Sequence, residues 1–575
     1  MPGFFSNTLA VLRREIYRVA RQPMYWLLTV ILPIVAFAFF AVLLYKGVAR
    51  DIPIAVVDQD NSTLSRKVTQ MIDATPTAWV AYGVQGMEEA ERLMLQGKVM
   101  GIVLIPDFFE KNILNNSQTH LESYLTGTNI TVNGLLAKDL QTTVTTFTAG
   151  IQLQLLMKQG LTEKQAMAQL MPVRFDKHVL FNPHINYGYY LSPSFMPMML
   201  LIFTDAGVIL VLVLALLIYS TLYSLAYGTQ VLRNVPIGVI DMSNTSTSRQ
   251  LINTFNAGPN VYVAYEPGDM DEAKHLFYDR EIYGVVYIPS DYEEKLLGGQ
   301  QAVVSLYVDA SYFLMYRQAF QELVSGIGTT GAMVEFQRLI AKGANIPQAT
   351  ATTQPVIYQS HNLFNPYLGY GSFVMPAIIM VIIQQTMLIG IGMIGGTWSE
   401  FGLYKKLIPP GRRRMSTLPV VAGKAFVYAS IYAVTLFYIL GLHYKLFHFP
   451  TNGHTADIIA FLIPYLLSCI FLGIAVSTLF QRREQSIMLL LWCSIPALML
   501  SGASVPREAM PEWLYRFGQI LPSSSGVEGF IRLQSMGASF SDVLHEVRIL
   551  WILTIVYGGF AAVGIHLRLK KAAGK

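Results

Sequence analysis

The sequence predicts an α-helical polytopic membrane protein that carries two duplicated α/β extracytoplasmic domains. Three observations predict it. The chain of 575 residues is 53% hydrophobic and 13% charged, too apolar for one soluble domain and too interrupted by polar stretches for a bare helical bundle. Its apolar runs are long enough to cross a bilayer. Its polar stretches match each other at a constant offset of 183 residues without a gap, which marks an internal duplication. The net charge of +5 is small and sits in short basic segments beside the apolar runs, so no nucleic-acid partner is expected.

Residues 1–46 comprise a cytoplasmic N-terminus and a first transmembrane helix. Arg13, Arg14, Arg18 and Arg21 precede an apolar run from Met24 to Lys46, which would make about 34 Å of helix. That length fits a retained span, and no small-residue cleavage site follows it. Positive-inside reasoning places the arginines in the cytoplasm and the next segment outside.

Residues 47–191 form the first head and residues 229–370 the second. Asp51-Ile-Pro-Ile-Ala-Val-Val-Asp58 answers Asn234-Val-Pro-Ile-Gly-Val-Ile-Asp241, and Gly101-Ile-Val-Leu-Ile-Pro106 answers Gly284-Val-Val-Tyr-Ile-Pro289. His178, Phe181, Asn182 and Pro183 keep the same offset to His361, Phe364, Asn365 and Pro366. In the first copy Ile54 to Val57 reads as a buried strand and Ser62 to Ile72 as a helix opened by a capping serine. A second strand, an acidic helix (Met87 to Leu95), a strand (Val99 to Ile105), a fourth strand near Leu121 to Leu125 and a long helix (Asn133 to Lys158) follow, an alternation that makes each head α/β. Asp58 and Asp241, each just after a first strand, are read as turn or helix-capping residues; His178 and His361 are likewise given a structural role.

Residues 192–228 are a transmembrane hairpin or a fusion seam, since about 37 apolar residues are too many for one span and marginal for two. The repeat register runs out near Thr204, and a turn is expected at Asp205-Ala-Gly207, where an interface tolerates the carboxylate. Residues 371–575 form a five-helix transmembrane domain with runs at Gly371 to Gly396, Ala425 to Leu442, Ile458 to Phe480, Ser486 to Ala503 and Ile549 to Ile565. The basic loop 398–424, Gln481-Arg-Arg-Glu-Gln485 and the tail Arg568-Leu-Lys-Lys571 are all expected in the cytoplasm, as are both termini.

Gly390, Gly392, Gly395 and Gly396 form a small-residue stripe that allows close helix approach, at a subunit interface or within the chain. No G-x-x-x-x-G-K-[S/T] loop exists to cradle a nucleotide, so ATP must be bound by a partner and no cofactor is expected here. Cys469 and Cys493 both lie in apolar runs, leaving neither a disulfide framework nor metal-ligand spacing. Catalytic chemistry is not expected, and the scarcity of ionisable residues in the spans argues against a proton-coupled carrier.

This order of parts resembles the ABC-2 type export permeases that carry a large domain between spans one and two. The resemblance covers residues 205–575 as one nearly complete permease and residues 1–204 as a truncated second copy fused at the N-terminus. Glu400-Phe-Gly402, the basic loop and Gly423-Lys424 are similar to the family's cytoplasmic segment between spans two and three. That similarity implies that Glu400, Gly402, Lys405, Lys406, Arg412, Arg413 and Arg414 dock an ABC ATPase, although Pro409-Pro-Gly411 departs from the family's commoner threonine-leucine arrangement.

Ser501-Gly502, Val505-Pro-Arg-Glu508, Met510-Pro511, Leu521-Pro522 and Glu528-Gly529 are similar to the family's outer amphipathic segment before the last span. An outer gate built from Pro506, Glu508, Pro511, Pro522, Glu528 and Gly529 is implied; without the resemblance, the prolines and glycines merely end helices. The resemblance implies a permease subunit of an ATP-driven exporter in a bacterial inner membrane. It would work with a second permease subunit or as a homodimer, surrounded by lipid, and in a double-membrane bacterium it could meet a periplasmic adaptor. The alternative is a membrane-anchored scaffold or receptor with duplicated ligand-binding heads, or an inactive permease fusion.

Overall fold

The strand-turn-helix unit that opens each polar stretch is dictated by a few polar side chains. Strand β1 (Ile52–Asp58) ends on Asp58, whose Oδ1 accepts the backbone N–H groups of Asp60 and Asn61 at 3.1 and 3.0 Å, and whose Oδ2 accepts the Ser65 hydroxyl at 2.7 Å. Asn61 takes a left-handed φ of 50°, which asparagine tolerates better than most residues. Ser62 then caps helix α1 (Thr63–Asp73) in a reciprocal box with Ser65, satisfying amide groups that the first turn leaves open. Asp241, Asn244, Thr245 and Ser248 rebuild the same unit, with Ser248 donating to Asp241 at 2.6 Å.

The computed structural model describes residues 49–573 apart from 116, 159, 171–172, 181–219, 222–223, 225–232, 310–312, 367, 405–416 and 503, together with Phe39, Val42 and Leu43. The expected first span, the 192–228 hairpin with Asp205, and Lys405, Lys406, Arg412, Arg413 and Arg414 therefore lie wholly or mostly outside the described residues. After α1 come β2 (Ala78–Val84), α2 (Met87–Leu95), β3 (Gly101–Ile105), α3 (Phe109–Leu114), β4 (Thr119–Thr126), α4 (Ile130–Lys158), α5 (Glu163–Leu170) and β5 (Val173–Leu180). The second series is β6 (Val235–Asp241), α6 (Ser246–Ala257), β7 (Val261–Tyr265), α7 (Met270–Tyr278), β8 (Gly284–Ile288), α8 (Tyr292–Leu297), β9 (Ala302–Asp309), α9 (Phe313–Ala341), α10 (Ile346–Thr353) and β10 (Val356–Leu363). Every element of the second series begins 183 residues after its counterpart in the first.

The two sheets are not the two contiguous heads expected at 47–191 and 229–370. Their strand orders are β10-β4-β3-β1-β2 and β5-β9-β8-β6-β7, so each series gives its last strand to the other sheet. β10 runs parallel to β4 from Val356 opposite Thr119 to Leu363 opposite Thr126, and β5 runs parallel to β9 from Val173 opposite Ala302 to Leu180 opposite Asp309. Either arrangement makes the same ladder, so an exchange between repeats costs little. The helix before each exchanged strand has 29 residues in α4 and 29 in α9, about 43 Å at 1.5 Å per residue, which gives the chain the reach to cross.

Side chains lock the exchange on the first sheet. The hydroxyls of Ser123 and Tyr358 lie 2.7 Å apart, Asn133 donates to Asn362 at 3.0 Å, and the His361 ring stacks on Tyr124 at 4.9 Å. Gly127 closes the joint: its N–H donates to the Leu363 carbonyl at 2.8 Å, and Asn365 donates to the Gly127 carbonyl at 3.2 Å. A Cβ on Gly127 would stand 2.8 Å from the Leu363 oxygen and 2.9 Å from the Asn365 oxygen, both backbone atoms that cannot step aside. Gly127→Val should therefore destabilise the first sheet by about 1–3 kcal/mol or more, as overpacking does. A fall in the thermal midpoint in detergent, with faster proteolysis near residue 355, is the expected reading.

Among the described residues, four helices are long and apolar enough to cross a bilayer: α11 (Tyr370–Glu400), α12 (Thr417–Tyr438, continued by a π turn to Leu446), α13 (Thr455–Ser477) and α18 (Leu544–Ala573). The fifth run expected at Ser486 to Ala503 is broken into α14 (Arg483–Trp492) and α15 (Ser494–Leu500). Pro496 offers no N–H and its ring opposes the carbonyl of Trp492, which accounts for the break at Cys493. α16 (Glu512–Gly518) and α17 (Pro522–Gln534) follow before α18. The four long helices share one apolar core centred on Met380, Tyr432, Phe461, Tyr465 and Leu550.

The glycine stripe on α11 serves contacts within the chain. A Cβ would lie 2.2 Å from Ser486 Oγ at Gly392, 2.5 Å from Ser477 Cβ at Gly395 and 2.7 Å from the Arg482 carbonyl oxygen at Gly396. Gly390 is buried on the same helix.

Candidate functional site: the joint between the first sheet and the outer segment

Helix α2 ends at a turn, Gln96-Gly97, whose carbonyls have no partner inside the helix. Gly97 takes a left-handed φ of 69°, a conformation that suits glycine at a helix C-terminus. Two arginines from residues 507–532 meet those carbonyls. Arg507 Nη2 donates to Gly97 O at 2.9 Å and Arg532 Nη1 donates to Gln96 O at 2.7 Å. Positive charge at the C-terminal end of a helix is favoured by the helix dipole. A Cβ at residue 97 would lie 3.2 Å from Arg532 Nη1, so the approach depends on glycine.

The outer segment is built to present these arginines. Pro506 precedes a short 3-10 turn at Arg507–Ala509, Pro511 opens α16, and Pro522 sits at the first turn of α17, where proline's missing N–H costs nothing. Gly529 and Gly526 let α17 lie against α13, since a Cβ at either would stand 2.4 Å from the Phe461 or Tyr465 ring. Glu508, its neighbour in sequence, and Glu528 converge on Arg507 at 2.9 and 3.0 Å. Burial opposes the Arg507 charge, but Glu528 and Glu508 outweigh it and hold the guanidinium pKa above its ordinary value. Tyr515 beside them is pushed up to about 12, first by burial and then by Glu528. Arg532 forms an ion pair with Glu546 in which the side chains are only 6% and 7% exposed, and it also donates to the Asp542 carbonyl at 3.3 Å.

A cavity of about 110 Å³ lies at this joint. Met94, Met100, Phe373 and Val527 give it an apolar wall, and Arg507, Glu508 and Glu528 give it a charged one. The lining is amphipathic, and the space is smaller than that of an ordinary small-molecule pocket, about 300–1,000 Å³.

The far end of the bundle carries the other set of predicted site residues. Glu400 ends α11, and Gly402 follows in a left-handed conformation with φ 63°. Lys424 packs over the Trp398 ring at 4.4 Å and the Tyr404 ring at 5.7 Å. Arg568 donates to the carbonyls of Thr478 and Phe480 at 2.7 and 2.9 Å, tying the end of α18 to the end of α13. The helices alternate in direction, so Glu400, Lys424, Arg482, Arg483 and Arg568 gather at one end, while the first sheet, Arg507 and Arg532 lie at the other.

The profile of the ABC-2 family transporter proteins matches residues 23–208 and again residues 206–563. This chain belongs to the ABC-2 transporter family. Among its relatives are a probable multidrug ABC transporter permease, YbhR, of Escherichia coli K12, 23% identical over 355 residues, and an inner membrane transport permease, YhhJ, of the same organism, 23% identical over 385 residues. The alignments cover 61% and 63% of this chain and 91% and 93% of those proteins. An ABC transporter G family member 20 of Dictyostelium discoideum is 21% identical over 58% of this chain and 45% of its own length. The chain is thus a multi-pass membrane protein and a permease of an ABC transporter, a family whose members work with an ABC ATPase.

Two features of this ABC-2 permease escape a reading of the sequence. Arg507 and Arg532 do not stand out there, although arginines at the end of the bundle remote from the basic loop depart from the positive-inside pattern and could flag them. His443 falls just beyond an apolar run, yet it is fully buried in the π turn of α12, with Nε2 3.0 Å from Ser224 Oγ and 3.2 Å from the Ser220 carbonyl. Both serines belong to the 192–228 stretch, so this histidine joins that stretch to α12. π turns are rare inside α-helices and are frequently found at functional sites.

Proposed function

We propose that the chain is the permease subunit of an ATP-driven exporter in a bacterial inner membrane. Its two sheets stand outside the membrane, and its ATPase binds at the opposite end of the bundle. The carrying observation is the division of charge between the two ends. At the sheet end the arginines are matched by carboxylates, the half-buried Arg507 by Glu508 and Glu528 and the buried Arg532 by Glu546. At the other end Arg482, Arg568, Lys570 and Lys571 join the basic loop, the distribution expected of a cytoplasmic face.

In this reading Glu400, Gly402 and the loop residues Lys405, Lys406, Arg412, Arg413 and Arg414 receive the ATPase, while Pro506, Glu508, Pro511, Pro522, Glu528 and Gly529 shape an outer gate. The substrate is an amphipathic molecule released past the cavity under the first sheet, a class that includes the drugs named for one relative. A periplasmic adaptor could bind the outer face of the sheets.

The test is co-purification with candidate ABC ATPases from the same organism, followed by ATP hydrolysis in lipid. Wild type should bind and alter hydrolysis. Glu400→Arg should weaken association at least tenfold, about 1.4 kcal/mol, whereas Arg507→Ala should leave association intact and reduce transport. Equal association of wild type and Glu400→Arg would refute the docking site, and no association at all would refute the exporter.

A further inference from the structure

Phe560, Val563, Leu567 and Lys571 recur every three or four residues along α18, which sets them on one side of the helix, and all four are exposed. Leu472, Val476 and Leu479, on α13 and just after it, stand across from them. The two rows flank a groove of about 560 Å³, within the range of ordinary small-molecule sites. Tyr557 and Lys571 both line it, and the helix between them is roughly 21 Å long at 1.5 Å per residue. Half a bilayer with its headgroups is about 20 Å thick, so the groove has the length of one leaflet.

Its chemistry changes along that length. Apolar side chains wall the part from Tyr557 to Leu567, whereas Gln481, Arg568 and Lys571 gather at the basic end of the bundle, and no carboxylate lines the groove. Arg568 donates from Nε and Nη2 to the carbonyls of Thr478 and Phe480; these acceptors are neutral, so the guanidinium charge is not cancelled and Nη1 is left over. Lys571 is exposed and has no ion pair among the described residues. Glu484, the acid on the turn beside Gln481, is paired with Arg483 at 3.2 Å. Two cations thus stand without a counter-charge at the mouth of an apolar groove, whereas Arg507 and Arg532 at the other end of the bundle each have carboxylates.

We propose that this groove binds an anionic glycerophospholipid of the adjacent leaflet, with its phosphate on Arg568 and Lys571 and an acyl chain along Val476, Phe560 and Val563. The orientation proposed above assigns that leaflet to the cytoplasm, and the inference rests on it for that assignment alone. Two cations within reach of one headgroup favour a lipid with net negative charge over a zwitterionic one. The apolar wall favours a lipid over free phosphate or a soluble acidic peptide, neither of which gains by covering it. A lipid so placed bridges the ends of α13 and α18 beside the bonds that Arg568 makes between them, and binding therefore raises stability.

The experiment uses the full chain, delipidated in detergent, so that neither an ATPase nor transport enters the result. Dioleoyl phosphatidylglycerol, dioleoyl phosphatidylcholine or inorganic phosphate is added; bound lipid is counted by native mass spectrometry and the thermal midpoint is followed in parallel. Phosphatidylglycerol should bind and raise the midpoint, phosphatidylcholine should bind about tenfold more weakly, and phosphate should leave the midpoint unchanged. Lys571→Glu should weaken phosphatidylglycerol binding about tenfold, whereas Lys570→Glu, a reversal one position outside the groove, should weaken it far less. Val563→Trp fills the groove without touching its charges and should also weaken binding, while Ile555→Trp, outside the groove, should not. All four positions are exposed, so none of these changes disturbs the core. Equal binding of the two lipids, stabilisation by phosphate alone, equal losses from Lys570→Glu and Lys571→Glu, or no loss from Val563→Trp would overturn the proposal.

Discussion

In a chain cleared of Cys469 and Cys493, Ser123→Cys with Ser360→Cys is expected to form an internal disulfide on mild oxidation, whereas Ser123→Cys with Lys177→Cys is expected to form none. Ser360 stands opposite Ser123 across the β10–β4 ladder, and directly paired residues on neighbouring strands bring their Cα atoms to about 5 Å, within disulfide reach. Lys177 is the residue that would stand opposite Ser123 if the first series kept its own last strand; instead it lies opposite Leu306 on the second sheet. The two arrangements make the same backbone ladder and differ in a few side-chain bonds, such as those of Tyr358 and Asn362, for which the first series offers Phe175 and Val179, so a stability measurement is a weak way to separate them. The disulfide separates them almost completely. Oxidation of the Ser123/Lys177 pair in preference to the Ser123/Ser360 pair would show that each repeat folds on itself.

The limits of the sequence reading follow from the same near-equivalence. Local chemistry makes the individual elements legible: the Asp58 turn and the Ser62 cap, the acidic helix at Met87–Leu95 and the long helix before residue 158 all depend on residues close in sequence. The exchange of β5 and β10 is not legible, because periodicity reports that a strand exists and not which of two equal edges it joins. The same limit applies to the joint. Glu508 and Glu528 stand out as polar residues among prolines and glycines, but the Arg507 they flank is fixed by its contact with Gly97, a residue 410 positions away. The glycine stripe on α11 is visible, whereas its partners Ser477 and Ser486 depend on how α13 and α14 return. The broken run at Cys493 could be read from Pro496 alone, since a proline that deep in an apolar helix removes a hydrogen bond and crowds the turn before it.

Arg532→Met is expected to be the most damaging single change in the outer segment. It leaves Glu546, whose side chain is 7% exposed, without its counter-charge, and it strips the Gln96 carbonyl of the 2.7 Å donor that ties the first sheet to the bundle. Breaking a buried ion pair by removing one partner costs about 3–5 kcal/mol. Most of that cost is the stranded charge, so the double variant Arg532→Met with Glu546→Leu should recover most of the lost stability in thermal unfolding in detergent. Recovery should still fall short by about 1–3 kcal/mol, the cost of leaving a buried polar group unmet, because the carbonyls of Gln96 and Asp542 have lost their donor in both variants. Protease access to the Gln96-Gly97 turn should rise in the single and the double variant alike, since both keep only the Arg507 contact with Gly97 and lose the Arg532 contact with Gln96. A double variant as unstable as the single one would assign the stabilisation to the carbonyl bonds, and a single variant as stable as wild type would show that the joint between sheet and bundle does not depend on Arg532.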